Sequence, residues 1–125
     1  MHYLPQFETS TTEKLYDLKQ LKEVLGGGSE ILTSLAGIYL NTIPVNSREM
    51  RQAVEAEDWV KASKIAHKIK PTIDSMNIKC ILTDIRTLEK DAKNQVNTSE
   101  LANIAVKVDF VINTVAEQLK YEFNL

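Results

Sequence analysis

Apolar residues recur every three or four positions along most of the chain, which is the period of an amphipathic α-helix rather than of a β-strand. A short helix is predicted over about 14–25, and the glycine run that follows would end it. Ser29 is a good N-cap for a second helix. Because Pro44 interrupts the pattern of that second helix, we expect two helical segments in one line that meet near the proline.

An unbroken apolar pattern marks a third helix, for which Asp58 is the predicted N-cap. Spacings of three and four alternate through Trp59, Ala62, Ala66, Ile69, Ile73, Met76 and Cys80. This seam predicts a buried stripe, and it places the Cys80 thiol in the core. Helices over about 80–93 and about 99–122 follow, and the loop NQVNTSE separates them.

Four amphipathic helices with short connections favour an all-α fold, an antiparallel four-helix bundle with a short additional N-terminal helix across one end. We expect the bundle to occupy residues 13–125 and residues 1–12 to form an irregular N-terminal arm. The 125 residues give room for one hydrophobic core, so a second independent domain is not expected.

Composition and charge narrow the class of protein. The formal net charge is −2, from 15 basic and 17 acidic residues, whereas a nucleic-acid-binding domain is usually strongly basic. No run approaches the roughly 18 apolar residues of a membrane span, and the opening residues carry no secretory signal pattern. The one cysteine, Cys80, cannot form an internal disulfide, which favours a reducing compartment. We therefore expect a cytoplasmic monomer that binds neither nucleic acid nor a membrane.

His67 lies where a core residue would not. A helix turns about 100° per residue, which places His67 about 140° from the centre of the apolar seam of the third helix, so its imidazole should project into solvent. The segment 61–70 holds four lysines and no acidic residue, which predicts a local basic field. The same projection predicts a set of surface neighbours within two turns of His67: Val60, Ser63, Lys64, Lys70, Pro71, Asp74 and Ile78.

Taken alone, each of these features has an ordinary structural explanation. A single surface histidine usually has no function, and lysines along an exposed helix face are usually only solvated. Asp74 is a possible weak ligand for a metal or a water molecule, although a solvated acid is the commoner case. The sequence has no His/Cys spacing typical of a metal site, so we expect no metal and no bound cofactor.

The combination of residues is more specific. Asp58-Trp59, Ala62 and the run Ala66-His67-Lys68-Ile69-Lys70 follow one another along the third helix. This order resembles the phospho-accepting helix of the histidine-containing phosphotransfer (HPt) domains of two-component phosphorelays. The upstream MRQAVEAEDW, the entry GGGSEIL and the Leu88-Glu89 pair are also similar to that family, and the resemblance extends over about residues 18–120.

Two positions depart from the family pattern. Pro71 stands where a glycine usually follows the lysine, and Asn77 stands in place of a second glycine. A proline inside a helix removes the hydrogen bond to the carbonyl four residues earlier, here that of His67, at a cost of about 3 kcal/mol if nothing compensates. We therefore expect a kink beside the histidine, and the approach of a partner stays open at this stage.

The resemblance implies a function and roles for particular residues. His67 would accept a phosphoryl group from an aspartate of a receiver domain and relay it to another receiver, while Lys70 stabilises the phosphoryl group. Response-regulator receivers and a hybrid sensor histidine kinase would be the partners, with Mg²⁺ held by the receiver. Receiver docking would use the exposed side around the histidine, namely Val60, Ser63, Lys64, Lys68, Pro71, Asp74 and Ile78.

Two other functions stay open on the sequence. In the first, the chain is a degenerate HPt adaptor that docks receiver or kinase domains without being phosphorylated, which Pro71 and Asn77 favour. In the second, it is an autonomous phosphatase or metal-dependent hydrolase, against which the absence of paired acids and of a second ligand argues. An ATP-binding kinase is not expected, because GGGSE follows no strand and precedes no Gly-Lys-Ser/Thr.

Overall fold

A computed structural model of the chain describes residues 13–26 and 28–125, so the predicted arm over residues 1–12 lies outside the described residues. Within these ranges every regular element is helical. A 3₁₀ turn, Lys79–Ile81, precedes the fourth α-helix. The described residues form five α-helices: α1 (Lys19–Leu25), α2 (Ser29–Glu55), α3 (Trp59–Ser75), α4 (Leu82–Asn94) and α5 (Thr98–Phe123).

The four longer helices form a bundle around one apolar core. Helix α2 packs against α3 and α5, and α4 closes the bundle by packing against the same two helices. Two contacts give the relative direction of α2 and α5: the Tyr39 hydroxyl donates to the Ile112 carbonyl at 2.9 Å, and the Ser47 hydroxyl donates to Asp109 Oδ1 at 2.9 Å. Positions that rise along α2 meet positions that fall along α5, so the two helices are antiparallel. The predicted all-α bundle with an additional N-terminal helix is confirmed.

Helix α2 is one continuous helix, whereas the sequence predicted two segments that meet at Pro44. The proline removes a single backbone hydrogen bond. Ile43 on one side of it and Ser47 and Met50 on the other are all buried, so the same face of the helix stays on the core across the proline. This burial outweighs the cost of the missing hydrogen bond. The N-cap is Gly28 rather than the predicted Ser29, which is the first helical residue.

The first helix begins later than predicted, at Lys19. Residues 13–18 are not helical, because contacts with the ends of other helices hold them across the end of the bundle. Tyr16 and Leu18 are both buried while Asp17 between them is exposed, which is a period of two. The Asp17 amide donates to the Met76 carbonyl at 2.8 Å. Tertiary contacts therefore override the local helical pattern here.

Helix α3 begins as predicted, since the Asp58 side chain accepts a hydrogen bond from the Lys61 amide at 3.2 Å. It ends earlier than the apolar seam suggested, at Ser75, and the chain reverses through Asn77 with φ 49°. The prediction that the seam buries Cys80 is wrong, because Cys80 lies past the end of the helix and is exposed. The predicted α4 and α5 agree with the structure to within two residues at each end.

Candidate functional site

Helix α3 carries His67 on a rigid support. Its inward face presents Ala62, Ala66 and Ile69 to the core, and all three are fully buried. Small alanines on this face let the neighbouring helices approach closely, which fixes the position and rotation of α3. His67 lies on the outward side, with 73% of its side chain exposed, as the helical projection predicts. An imidazole in this position is open to a partner protein.

One carboxylate from the neighbouring helix is hydrogen-bonded to both His67 and Lys70, the two residues predicted to take part in the chemistry. Each oxygen of Glu89, on α4, binds one of these residues: Oε2 lies 2.7 Å from Nδ1 of His67, and Oε1 lies 2.6 Å from Nζ of Lys70. Glu89 and Lys70 are only 20% and 26% exposed, so both charges are partly withdrawn from water. His67 and Lys70 are thus brought together, as expected, but through a third residue.

The Glu89 carboxylate determines which nitrogen of the imidazole is free. An ionised carboxylate only accepts hydrogen bonds, so the contact at 2.7 Å places the proton of the neutral ring on Nδ1 of His67. Nε2 then carries the lone pair, and no hydrogen bond within residues 13–26 and 28–125 engages it. The hydrogen bond from Lys70 is the largest cause that lowers the pKa of Glu89; partial burial opposes it, and the bond to His67 lowers the pKa further. The carboxylate therefore stays ionised at neutral pH.

Glu89 is held by its backbone as well as by its side chain. Ile85 and Leu88 of α4 are fully buried, and this rotation of the helix turns Glu89 toward α3. The Ser63 hydroxyl donates to the Glu89 carbonyl at 2.9 Å, which ties α3 to α4 one turn before the histidine. The predicted exposure of Ser63 as a docking residue is wrong, because α4 covers it and leaves it 9% exposed. Its hydroxyl is bonded to the Glu89 backbone instead of facing a partner.

The sequence pattern does not predict Glu89 as a member of the site. In the sequence Glu89 stands out only as part of the Leu88-Glu89 pair, and segment 61–70 itself contains no acidic residue. In space the acid comes from 22 positions further along the chain, so its contact with His67 depends on the register of α3 against α4. The rotation of α4 is readable from its apolar positions, but that register is not.

Four of the residues predicted to dock a partner are exposed to solvent in the structure. Val60 is 60% exposed, and Lys64, Lys68 and Pro71 are exposed as predicted. No ion pair in the described part of the chain involves Lys64 or Lys68, so these lysines keep their positive charge available. Pro71 lies inside α3, and the helix continues past it to its end. An apolar and basic surface therefore surrounds His67.

Asp74 is engaged in an ion pair rather than facing the histidine. Its Oδ2 accepts a hydrogen bond from Nη2 of Arg86 at 2.7 Å, which links the second half of α3 to α4. Groups of three or more potential metal-ligating side chains are absent among the described residues. The predicted alternative of Asp74 as a weak metal ligand therefore gains no support from its surroundings.

The predicted exposure of Ile78 is wrong, since its side chain is fully buried. The helical projection extended α3 beyond Ser75, but Asn77 turns the chain with a positive φ and sends Ile78 inward. A φ of 49° is a conformation that glycine adopts freely and asparagine tolerates, so Asn77 can make this turn without glycine.

Comparison of the chain with known families, proteins and structures identifies no relative. No protein-family model, curated protein or solved structure matches the chain. None of the described helices combines the length and the apolar character needed to cross a membrane. The resemblance to HPt domains therefore rests on the residues of the histidine helix, and the function is argued from the chemistry of those residues.

Proposed function

We propose that this chain is a histidine phosphotransfer protein that carries a phosphoryl group on Nε2 of His67 between receiver-domain aspartates. The single observation that carries the proposal is the combination of a largely exposed imidazole with a Glu89 contact that leaves Nε2 free. A nucleophile that must reach a group buried in another protein has to project from a rigid surface, and α3 provides that surface. A merely solvated histidine has no need of a fixed tautomer.

The chemistry requires positioning and charge neutralisation more than acid–base groups on this chain. The lone pair of Nε2 attacks the phosphorus of an aspartyl phosphate in line with the departing carboxylate oxygen. The receiver would supply Mg²⁺ and the acidic residues that hold it. No nucleotide and no cofactor bound to this chain is needed.

Lys70 is the residue proposed to receive the phosphoryl oxygens. It lies one helical turn beyond His67, and its ammonium is at present hydrogen-bonded to Glu89 at 2.6 Å. A phosphoryl group on Nε2 would carry nearly two negative charges and compete with the carboxylate for that ammonium. Lys70 would then be shared between Glu89 and the phosphoryl group.

A receiver would approach across the exposed surface around the histidine. Val60 and Pro71 offer apolar contacts, and Lys64 and Lys68 offer positive charge to an acidic receiver site. Such contacts are small and transient in relay proteins. A hybrid sensor histidine kinase and response regulators, in the cytoplasm, are the proposed partners on this account.

The experiment that tests the proposal is phosphotransfer in vitro. The chain is mixed with a panel of radiolabelled phospho-receiver domains and Mg²⁺, and His67→Gln serves as the matched variant, since an exposed side chain can be replaced without loss of fold. We expect acid-labile, alkali-stable label on the native chain and none on the variant. Absence of label from every donor would contradict the proposal.

The second candidate function is a docking adaptor that binds receivers without phosphotransfer. The observations that favour it are Pro71 on the approach surface and the engagement of Lys70 by Glu89. Binding of a receiver that is equal for the native chain and for His67→Gln, with no label on either, would establish the adaptor.

A further inference from the structure

The partner of Nδ1 in this site is a charged carboxylate, and this has a consequence for the phosphorylated state. Glu89 lies at 2.7 Å from Nδ1 and is only 20% exposed, so its charge acts on the ring at hydrogen-bond distance with limited screening. From this contact we infer that Glu89 keeps a proton on Nδ1 after His67 is phosphorylated and thereby makes the phosphohistidine short-lived. The inference rests on the proposed function and specifies how the site is regulated.

The transfer steps balance without moving a proton. In the forward step the Nε2 lone pair forms the N–P bond while the P–O bond to the donor aspartate breaks, and the electron pair of that bond leaves with the carboxylate. The ring becomes positively charged and retains its Nδ1 proton, hydrogen-bonded to Oε2 of Glu89. In the return step a carboxylate oxygen of the acceptor aspartate forms a new P–O bond while the N–P bond breaks, the electrons of that bond go back to Nε2, and the neutral imidazole leaves. No other general acid or base is required.

The charged ring is the reactive form. If Nδ1 of phosphohistidine lost its proton, the departing group would be an imidazolide anion, which leaves far less readily than neutral imidazole. A carboxylate beside Nδ1 favours the protonated ring, whereas an uncharged amide in its place would favour it much less. The same carboxylate shares Lys70, at 2.6 Å, and so reduces the help that the ammonium gives to the phosphoryl oxygens. Both effects shorten the life of the phosphorylated state.

The other charged residues within about one turn of His67 or Glu89 on α3 and α4 are mostly basic. Lys64 and Lys68 lie on α3 within one turn of His67, and Lys93 lies one turn beyond Glu89 on α4. Arg86 on α4 is paired with Asp74. These cations disfavour a proton on Nδ1, but among the described residues none of them is hydrogen-bonded to the imidazole, while Glu89 is. The balance of contacts therefore favours the protonated ring.

The test uses phosphoramidate, a small donor that phosphorylates imidazole without any receiver. Two variants are compared so that the sharing of Lys70 does not obscure the result: Lys70→Met, and Lys70→Met combined with Glu89→Gln. The native chain is measured alongside, and His67→Gln subtracts any modification of His2. The loss of the phosphohistidine signal is followed by ³¹P NMR between pH 5 and pH 9.

We expect the Lys70→Met chain to lose its phosphoryl group about tenfold faster than the double variant at pH 9, where both rings are mostly deprotonated and one unit of proton affinity gives its full ratio. The pH at which hydrolysis slows should also be about one unit lower in the double variant. If Glu89 only held the histidine ring in place, the pH at which hydrolysis slows would be the same in both variants. Equal lifetimes and equal pH profiles would overturn the inference, and so would failure of phosphoramidate to modify His67.

The outcome separates this inference from the proposed function. A lifetime difference together with no transfer from any receiver would uphold the inference and contradict the relay. Transfer from receivers with no lifetime difference would uphold the relay and overturn the inference.

Discussion

Removal of the Lys70 ammonium should destabilise the folded chain by an amount that the geometry predicts. The Lys70→Met variant keeps most of the apolar stem but leaves Glu89 without the cation that lies 2.6 Å from its Oε1. Exposed ion pairs contribute about 0–1 kcal/mol, whereas breaking a fully buried pair costs about 3–5 kcal/mol. With the two side chains 26% and 20% exposed, we expect a loss of about 1–2 kcal/mol.

Thermal and urea unfolding followed by circular dichroism measure this loss. For a chain of this size, 1 kcal/mol corresponds to about 4 °C in Tm, so the variant should melt about 4–8 °C lower at pH 7. Lys68→Met is the matched control, because Lys68 is exposed and has no ion pair among the described residues. Its free energy of unfolding should change by less than about 0.5 kcal/mol.

The stability difference between the native chain and Lys70→Met should also depend on pH, and its direction follows from the pKa of Glu89. The pKa of Glu89 is lowered in the folded chain, mainly by the Lys70 hydrogen bond. A lowered carboxyl pKa contributes stability that is complete above the unfolded value of about 4.3 and is lost as pH falls through the folded value. The difference between the native chain and Lys70→Met should therefore be constant from pH 6 to pH 8 and shrink below about pH 4. Equal stability of the Lys70→Met and Lys68→Met variants at pH 7 would refute the reasoning.

Four further substitutions test other parts of the account. The stability of each variant is measured by urea unfolding, and Val60→Ser is also tested for receiver binding. Ile78→Ala removes a fully buried side chain and should cost about 2–4 kcal/mol; a change near zero would mean that Ile78 is exposed after all. Val60→Ser should change stability by less than about 0.5 kcal/mol while weakening receiver binding, and unchanged binding would remove Val60 from the docking surface. Pro71→Ala restores an amide donor inside α3 and should stabilise the fold by about 1–2 kcal/mol, whereas destabilisation would show that the proline fits its helix without loss. Tyr39→Phe removes a buried hydroxyl that donates to a carbonyl of α5 at 2.9 Å and should cost about 1 kcal/mol; no loss would mean that this hydrogen bond adds nothing to stability.

The helical projection succeeded where its assumptions held. His67 lies in the middle of α3, far from either end, so a rotation of about 100° per residue places it correctly on the outer side. Ala62, Ala66 and Ile69 are buried for the same reason. The apolar period alone is sufficient to predict an all-helical bundle, because each amphipathic helix must bury one face against the others.

The projection failed where the helix ended or where a neighbour covered its surface. Ile78 and Cys80 lie beyond Ser75, so an angle calculated for a continuous helix has no meaning there. Ser63 is within the helix, but α4 packs over it. Glu89 enters the site only through the register of two helices. Contacts of this kind depend on tertiary packing, which a helical wheel drawn for one segment does not contain.

The central claim is that Nε2 of His67 accepts the phosphoryl group, and NMR of the phosphorylated ring tests it most directly. The ring nitrogens are labelled with ¹⁵N, the chain is phosphorylated by a phospho-receiver with Mg²⁺, and the couplings between phosphorus and each nitrogen are measured. Phosphorus coupled to Nε2 of His67, with Nδ1 still bonded to hydrogen, is the predicted result. Phosphorus on Nδ1, or a His67 ring unchanged after exposure to every receiver, would contradict it.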